Sequence, residues 1–361
     1  MKMRAIVSKS TKTYKHGLRL LWVILLGSCL SPIDIPTENF GGRLVVSGQV
    51  SSIADQNYVQ IGRTAERERL PFPVVGATVQ LLDDLGNVYE YEADEFREGN
   101  YLLNGFTGTP GTSYFIRVVT PEGETYESAP ERLPESAGAI TSTYDFQNEE
   151  VTDLEGVVTT QPFLKLYVNT TLPEVGSRFV KWDVEEVFLL TPTDFPDPFS
   201  YVPPSCFVAQ NADPQRITLI SGEEVNVGSI DNLLVASRII DWTFLERHYF
   251  TVYQSSLTAE AYDYWSKVDI LSNQVGSIFD TPPAELTGNI RNINDSSEKV
   301  FGYFQACNQT FTRRFILKFD LPFELLATHC VFDGRDYLGY PQRCLDCLSV
   351  RNSSYRRPDW F

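Results

Sequence analysis

Histidine is scarce in this chain of 361 residues, which holds three. His16 lies in a basic leader, leaving His248 and His329 for any chemistry that needs an imidazole near neutral pH. There is no Gly-x-Ser-x-Gly elbow, no phosphate-cradling Walker loop and no His-Glu-x-x-His zinc helix. His248 stands among Arg247, Tyr249 and Phe250 at the start of a predicted strand, where a structural role is expected. These absences set aside the recognisable hydrolase, nucleotidase and metalloprotease classes, and a non-enzyme with no cofactor or metal is expected. Scattered serines and carboxylates keep a hydrolase with an unfamiliar site as an alternative. Basic residues are also in deficit: 30 Lys and Arg face 47 Asp and Glu, a net charge of −17. That is a poor match for nucleic acid, whose phosphates require basic patches. Internal repeats, heptads and apolar runs near the ~20 residues of a membrane-spanning helix are missing as well.

What the N-terminus does contain is a short apolar run, Leu20 to Leu26, behind Lys2, Arg4, Lys9, Lys12, Lys15 and Arg19 and with no acid. A basic start, a short apolar core and small residues before a cleavage point describe a secretory signal peptide over residues 1–28. Leu26-Gly27-Ser28-Cys29 looks like a bacterial lipobox, which makes Cys29 the acylated first residue of the mature chain. Each buried acyl methylene contributes about 0.8 kcal/mol of membrane affinity. Losing the leader's six basic residues takes the net charge from −17 to −23. Residues 29–42, with Pro32 and Pro36, read as a lipidated tether.

Abundant aromatics (23 Phe, 18 Tyr) with 23 Gly and 21 Pro favour strands and turns, so a mainly β protein is expected. Residues 43–135 read as short strands: Leu44 to Val50, then the alternating Ala77, Val79 and Leu81, a turn at Asp83 to Asn87, and a strand lined by Tyr114, Ile116 and Val118. That segment resembles the immunoglobulin-like or transthyretin-like β-sandwich of carboxypeptidase regulatory domains, at Gly76-Ala77-Thr78-Val79, Leu85 to Tyr89 and Gly99-Asn100-Tyr101. Residues 136–160, acidic and poor in hydrophobics, read as a linker or long loop. A second β-rich domain is expected over 161–361, with strands at Phe179 to Leu190, Tyr249 to Gln254, Val300 to Ala306 and Arg314 to Phe319. One main α-helix is predicted near 258–272, capped by Thr258, with a stripe of Ala261, Trp265, Val268 and Leu271.

Beyond Cys29 the cysteines are Cys206, Cys307, Cys330, Cys344 and Cys347. In an exported chain they favour disulfides, and an odd number leaves one unpaired. A structural disulfide pinning the Asp333 to Tyr340 loop is the main expectation for the Cys344-x-x-Cys347 region. A tetrahedral zinc site from His329, Cys330, Cys344 and Cys347 and a redox pair at Cys344 and Cys347 are the alternatives.

The segment Ser256 to Trp265, Gly276-Ser277-Ile278-Phe279-Asp280, Leu286-Thr287-Gly288-Asn289-Ile290, Phe301-Gly302-Tyr303-Phe304 and the closing Pro358-Asp359-Trp360 carry a further likeness. With the lipobox they resemble the Bacteroidota lipoproteins of the domain-of-unknown-function 4249 family. The resemblance implies a lipid-anchored, surface-facing outer-membrane protein that assists a SusC-like TonB-dependent β-barrel transporter. It carries over no catalytic residue. Gly288 and Asn289 suit a backbone at positive φ or in close approach. A ligand or partner surface is expected in a cleft between the two bodies, with Tyr262, Tyr264, Trp265, Phe279 and Asn289 as candidate contacts. A structural or adhesive lipoprotein that binds a partner protein or glycan is the rival reading.

Overall fold

The computed structural model describes residues 42–65, 72–135, 138–153, 155–172, 178–191, 204–222, 228–273, 286–325 and 341–361. Side chains alternate between buried and open along most strands, the period of two that lets one sheet face a core and the other face water. In the first part these are β1 (Leu44–Ser51), β2 (Tyr58–Arg63), β3 (Phe72–Pro73), β4 (Thr78–Asp83), β5 (Val88–Glu90), β6 (Glu92–Ala93), β7 (Asn100–Leu102), β8 (Ser113–Val119), β9 (Thr125–Ser128) and β10 (Glu131–Arg132). Then follow β11 (Ala139–Thr152), β12 (Val158–Thr171), β13 (Phe179–Leu190), β14 (Cys206–Asn211), β15 (Thr218–Ser221), β16 (Ser229–Ile239), β17 (His248–Leu257), β18 (Ile290–Asn292), β19 (Phe304–Ile316) and β20 (Ser353–Ser354). The main helix α1 is Ala259–Asn273, and a short α2 is Gln342–Leu345.

The protein is mainly β. Its largest sheet runs β20-β14-β13-β17-β19-β1-β2-β7-β6, with β15 on β13 and β3 on β2. A second sheet, β18-β9-β8-β4-β5 with β10 on β8, faces the β1–β2 region, and together they form the N-terminal sandwich. Leu44, Val46, Val59, Ile61, Leu81 and Ile116 fill that core. The third sheet, β11-β12-β16, supplies Leu164, Leu166 and Val168 to a second core. This core also takes Val180, Trp182 and Val184 of β13 and Phe250 and Val252 of β17. Fully burying each such side chain contributes roughly 1.5–3 kcal/mol.

Residues Phe40–Phe361 form one compact unit. The expected boundary at 136–160 is therefore corrected: Ala139–Thr152 is a long strand, paired to β12 through all its 14 residues. One face packs Ile140, Ser142 and Phe146 toward the second core, but polar residues interrupt the apolar pattern that marks a half-buried strand. The strand is held by these contacts, by its ladder and by Arg314, whose Nη2 donates to the Ser142 carbonyl at 2.7 Å. The two strands expected at Val300 to Ala306 and Arg314 to Phe319 also need correction. Phe304–Ile316 is a single strand whose polar middle, Asn308 to Arg313, hides its continuity. The two expected bodies share one sheet because β1 pairs in parallel with β19, Gly48 opposite Phe304.

The helix begins as expected, with Thr258 Oγ1 accepting from the Ala261 amide at 3.1 Å. The cysteine expectations change. Cys347 is bonded to Cys206, 141 residues away, and Cys344 is disulfide-bonded too. With both thiols of the C-x-x-C committed to other partners, neither the zinc set nor the redox pair can form. Cys347 joins an apolar cluster with Phe188, Leu190 and Val208, which draws it toward β14. Cys307 is free and buried beneath α1, its thiol pushed up to about 12 by burial. Cys29, Phe279, His329 and Cys330 lie outside the described residues.

One charge sits on the core face of β13. Glu186 is fully buried and accepts from Arg238 Nε at 2.9 Å, Gln210 Nε2 at 2.6 Å and His248 Nε2 at 3.0 Å. Arg238 balances the carboxylate, so His248 stays neutral with Nε2–H donating. Its ring is stacked on Phe250 at 4.6 Å, and its Nδ1 has no hydrogen-bond partner among the described residues. Burial lowers the His248 pKa against the opposing pull of Glu186.

Two predictions follow from this packing. Cys347→Ser should cost about 2–4 kcal/mol, since the cross-link closes a long loop of the unfolded chain; equal urea midpoints for variant and oxidised parent would refute it. The His248 prediction concerns pH. The unfolded imidazole takes up a proton near 6.5 while the folded one resists it, so stability should fall as pH drops below about 6.5. Urea titrations between pH 7.5 and 5 should show that loss, with a shallower slope in His248→Gln; identical slopes would count against the assignment.

Candidate functional site

Register carries the odd-numbered face of β13 across the large sheet. Asp183 lies opposite Tyr253, Glu185 opposite Thr251 and Asn211, and Ser255 opposite Gln309. Through β19 and β1 the same face continues to Gln49, then to Tyr58 of β2, with Gln60 opposite Asn100 of β7. The other face buries the two cores, so this one is left polar.

Both ends of the face are covered. At one end α1 lies over it, with Tyr262 against Phe179 (ring centroids 4.9 Å apart) and Trp265 over the Lys181 ammonium at 4.5 Å. At the other end the C-terminal residues sit on β17 and β14: Phe361 is 4.8 Å from Tyr249 and 4.9 Å from Phe207. Between these covers lies a groove of about 540 Å³, within the 300–1,000 Å³ range of small-ligand sites. Its lining includes Tyr58, Gln60, Asn100, Asp183, Glu185 and Tyr253. Arg97, from the turn before β7, reaches over the groove and donates from Nη2 to the Ala209 carbonyl of β14 at 3.3 Å.

The groove floor is tied together by a run of amides. Trp265 Nε1 donates to Gln305 Oε1 (2.7 Å), Gln305 Nε2 to Gln49 Oε1 (3.0 Å), and Gln49 Nε2 to the Gln56 carbonyl (2.9 Å). Gln56 Nε2 then donates to Tyr253 Oη at 3.0 Å. A branch runs from Ser51 Oγ to Gln309 Oε1 at 2.5 Å, and from Gln309 Nε2 to Ser255 Oγ at 2.9 Å. Buried amides bonded to each other cannot swing, so the floor is set before any ligand arrives. Two of the groove's acids have partners within the protein. Asp183 is paired with Lys181. Burial raises the Glu185 pKa, opposed by Arg97, Arg313 and the Tyr253 hydroxyl. The Tyr253 hydroxyl is itself pushed up by burial and by Glu185.

A second cavity, of about 480 Å³, opens beside the N-terminal turn of α1. Glu131 is buried there, accepting from Thr258 Oγ1 at 2.6 Å and from the Tyr303 hydroxyl, and burial raises its pKa. These bonds join β10, the helix cap and the segment before β19, which makes Glu131 a structural tie.

Of the five expected contacts, Tyr264 and Asn289 line this second cavity. Asn289 also clamps Phe304, donating from Nδ2 to its carbonyl (2.7 Å) and accepting from its amide (2.9 Å). Tyr262 is packed under the helix, and Trp265, which does not line the main groove, connects to it through Gln305 and through Lys181. Gln49, Tyr58, Gln60, Asn100, Asp183 and Tyr253 were not anticipated. Alternation marks each as the open side of its strand, but only the sheet order brings them together.

Gly288 is a position of close approach, not of positive φ. A Cβ there would stand 1.5 Å from the Gly302 carbonyl oxygen, and Gly302 itself, at φ +97°, lies under the Val46 carbonyl. Gly288→Ala should therefore destabilise by more than the ~1 kcal/mol typical of point mutants; an unchanged melting temperature would refute this close packing.

Among the described residues no helix is long and apolar enough to cross a membrane, and no group of three or more His, Cys, Asp or Glu is placed to hold a metal ion. No curated protein matches the chain. A family model described as a domain of unknown function, DUF4249, matches residues 31–313, and the chain belongs to that family.

Proposed function

We propose that this protein is a non-enzymatic capture lipoprotein of the bacterial outer membrane. Acylated at Cys29 and facing the cell surface, it holds a polar ligand in the sheet-face groove and passes it to a TonB-dependent β-barrel partner. The observation that carries the binding part is the groove floor, where Trp265, Gln305, Gln49, Gln56 and Tyr253 are bonded in series beneath an open polar surface. A rigid, presatisfied floor lowers the ordering cost of binding, which is what a capture site needs. The anchor rests on the leader and Leu26-Gly27-Ser28-Cys29. The barrel partner rests on the sequence resemblance. The acidic balance of the chain favours a body held off an anionic surface by its tether.

The test is extraction of the native membrane in mild detergent, pull-down of the full-length lipoprotein and mass spectrometry of the proteins recovered. A mature N-terminus at an acylated Cys29 and a near-stoichiometric TonB-dependent barrel are the expected results. Recovery of the lipoprotein alone would overturn the stable complex and favour the adhesive reading. An unmodified N-terminus elsewhere would overturn the anchor.

A further inference from the structure

We infer that the ligand of the groove is a neutral, hydroxyl-rich chain, a short saccharide. The inference rests on the groove being the capture site and adds the chemical class of what it captures.

Charge is the first argument. Four carboxylates line the groove, Asp55, Asp94, Asp183 and Glu185; Asp183 is paired with Lys181, and Glu185 faces Arg97, Arg313 and the Tyr253 hydroxyl. Asp94 accepts from the Phe96 amide at 2.9 Å. A strongly cationic ligand would compete with these internal partners, and an anionic one would meet the acids directly. An uncharged polar ligand meets neither obstacle.

Hydrogen-bonding capacity is the second. The side-chain amides of Gln60 and Asn100 face each other across the β2–β7 pair and have no hydrogen-bond partner among the described residues. Each presents a carbonyl acceptor beside an NH₂ donor. Vicinal hydroxyls, which also donate and accept at once, match that arrangement.

Aromatic placement is the third. Tyr58 is 38% exposed at the groove, and Tyr253 lines it from β17. Phe311 lies on the same face, 6.0 Å from the Tyr253 ring and 47% exposed. A sugar ring has polar edges and flat C–H faces, so it suits aromatic rings standing among amides. A peptide captured as an added strand would need a free sheet edge, whereas this groove crosses the faces of interior strands.

The detergent-solubilised full-length protein would be titrated by calorimetry with neutral oligosaccharides: α- and β-linked glucans, mannans, xylans and galactans. Short neutral and cationic peptides serve as comparators. Saturable binding of at least one oligosaccharide is expected, weakened about tenfold or more by Tyr58→Ala and by Gln60→Ala. Thr159→Ala, on the distant β11–β12 hairpin, should leave the affinity unchanged. Asn100→Ala gives a further surface variant, and thermal melts confirm that each variant folds. No saturable oligosaccharide binding overturns the inference. Groove-dependent binding of peptides in place of saccharides overturns it too, while leaving the capture site standing. Saccharide binding that ignores all three groove variants overturns both the site and the inference.

Discussion

The parallel pairing of β1 with β19 is the constraint on which the rest of the structure depends. Val50 and Cys307 meet across 257 positions of sequence. The ladder is extended by Val46 N–H to Phe301 O (2.9 Å) and Phe301 N–H to Leu44 O (2.9 Å). This seam converts the N-terminal sandwich and the β13–β17–β19 region into one sheet with a continuous polar face. Without it Gln49, Tyr58 and Gln60 would lie on one object, and Asp183, Tyr253 and Gln309 on another. The groove is thus a property of the seam, and so is the cost of making it. Non-local strand pairing closes a long loop before its contacts form, which slows folding of such topologies.

The same seam explains what was legible in the sequence. Phe179–Leu190 was readable to its ends because Val180, Trp182 and Val184 alternate with Lys181, Asp183 and Glu185. The helix was readable because Thr258 caps it and Ala261 starts its buried side. β11 was not, since Ile140 and Phe146, its contacts with the second core, stand among polar residues that share their composition with a loop. The cysteine connectivity was also hidden. Spacing gave no sign that Cys347 pairs with Cys206, to which an apolar cluster of Phe188, Leu190 and Val208 brings it; the Asp333 to Tyr340 loop lies outside the described residues. The groove residues come one or two from each of several strands. Each alone reads as ordinary solvated surface, and their convergence is written only in strand order.

The buried polar groups divide in the same way between the two faces. On the core side, Glu186 gathers Arg238 from β16, Gln210 from β14 and His248 from β17. Four strands share one carboxylate: a one-residue slip of β13 or β16 would part it from Arg238 and leave a buried charge unpaired, at a cost of several kcal/mol, and a slip of β14 or β17 would remove one of its hydrogen bonds. Such a group fixes register more than it adds stability. On the groove side the amides serve a different end. Gln49 and Gln305 are neutral, so they tolerate burial without a counter-charge, and with the half-buried Gln56 they hold their partners in place.

That difference bears on how binding could be transmitted. The amide series begins at Trp265, on a helix whose first turn is tied by Thr258 to Glu131, and ends at Tyr253 in the groove. From the Tyr253 hydroxyl the series passes the Gln56 side chain and backbone carbonyl, then Gln49 and Gln305, to the seat of α1. Each step is one hydrogen bond of about 1 kcal/mol net. The series is therefore stiff enough to position the floor, yet a ligand that replaces one of its bonds loses little by doing so. Helix and groove share one face of one sheet, and this run of hydrogen bonds ties the seat of the one to the lining of the other.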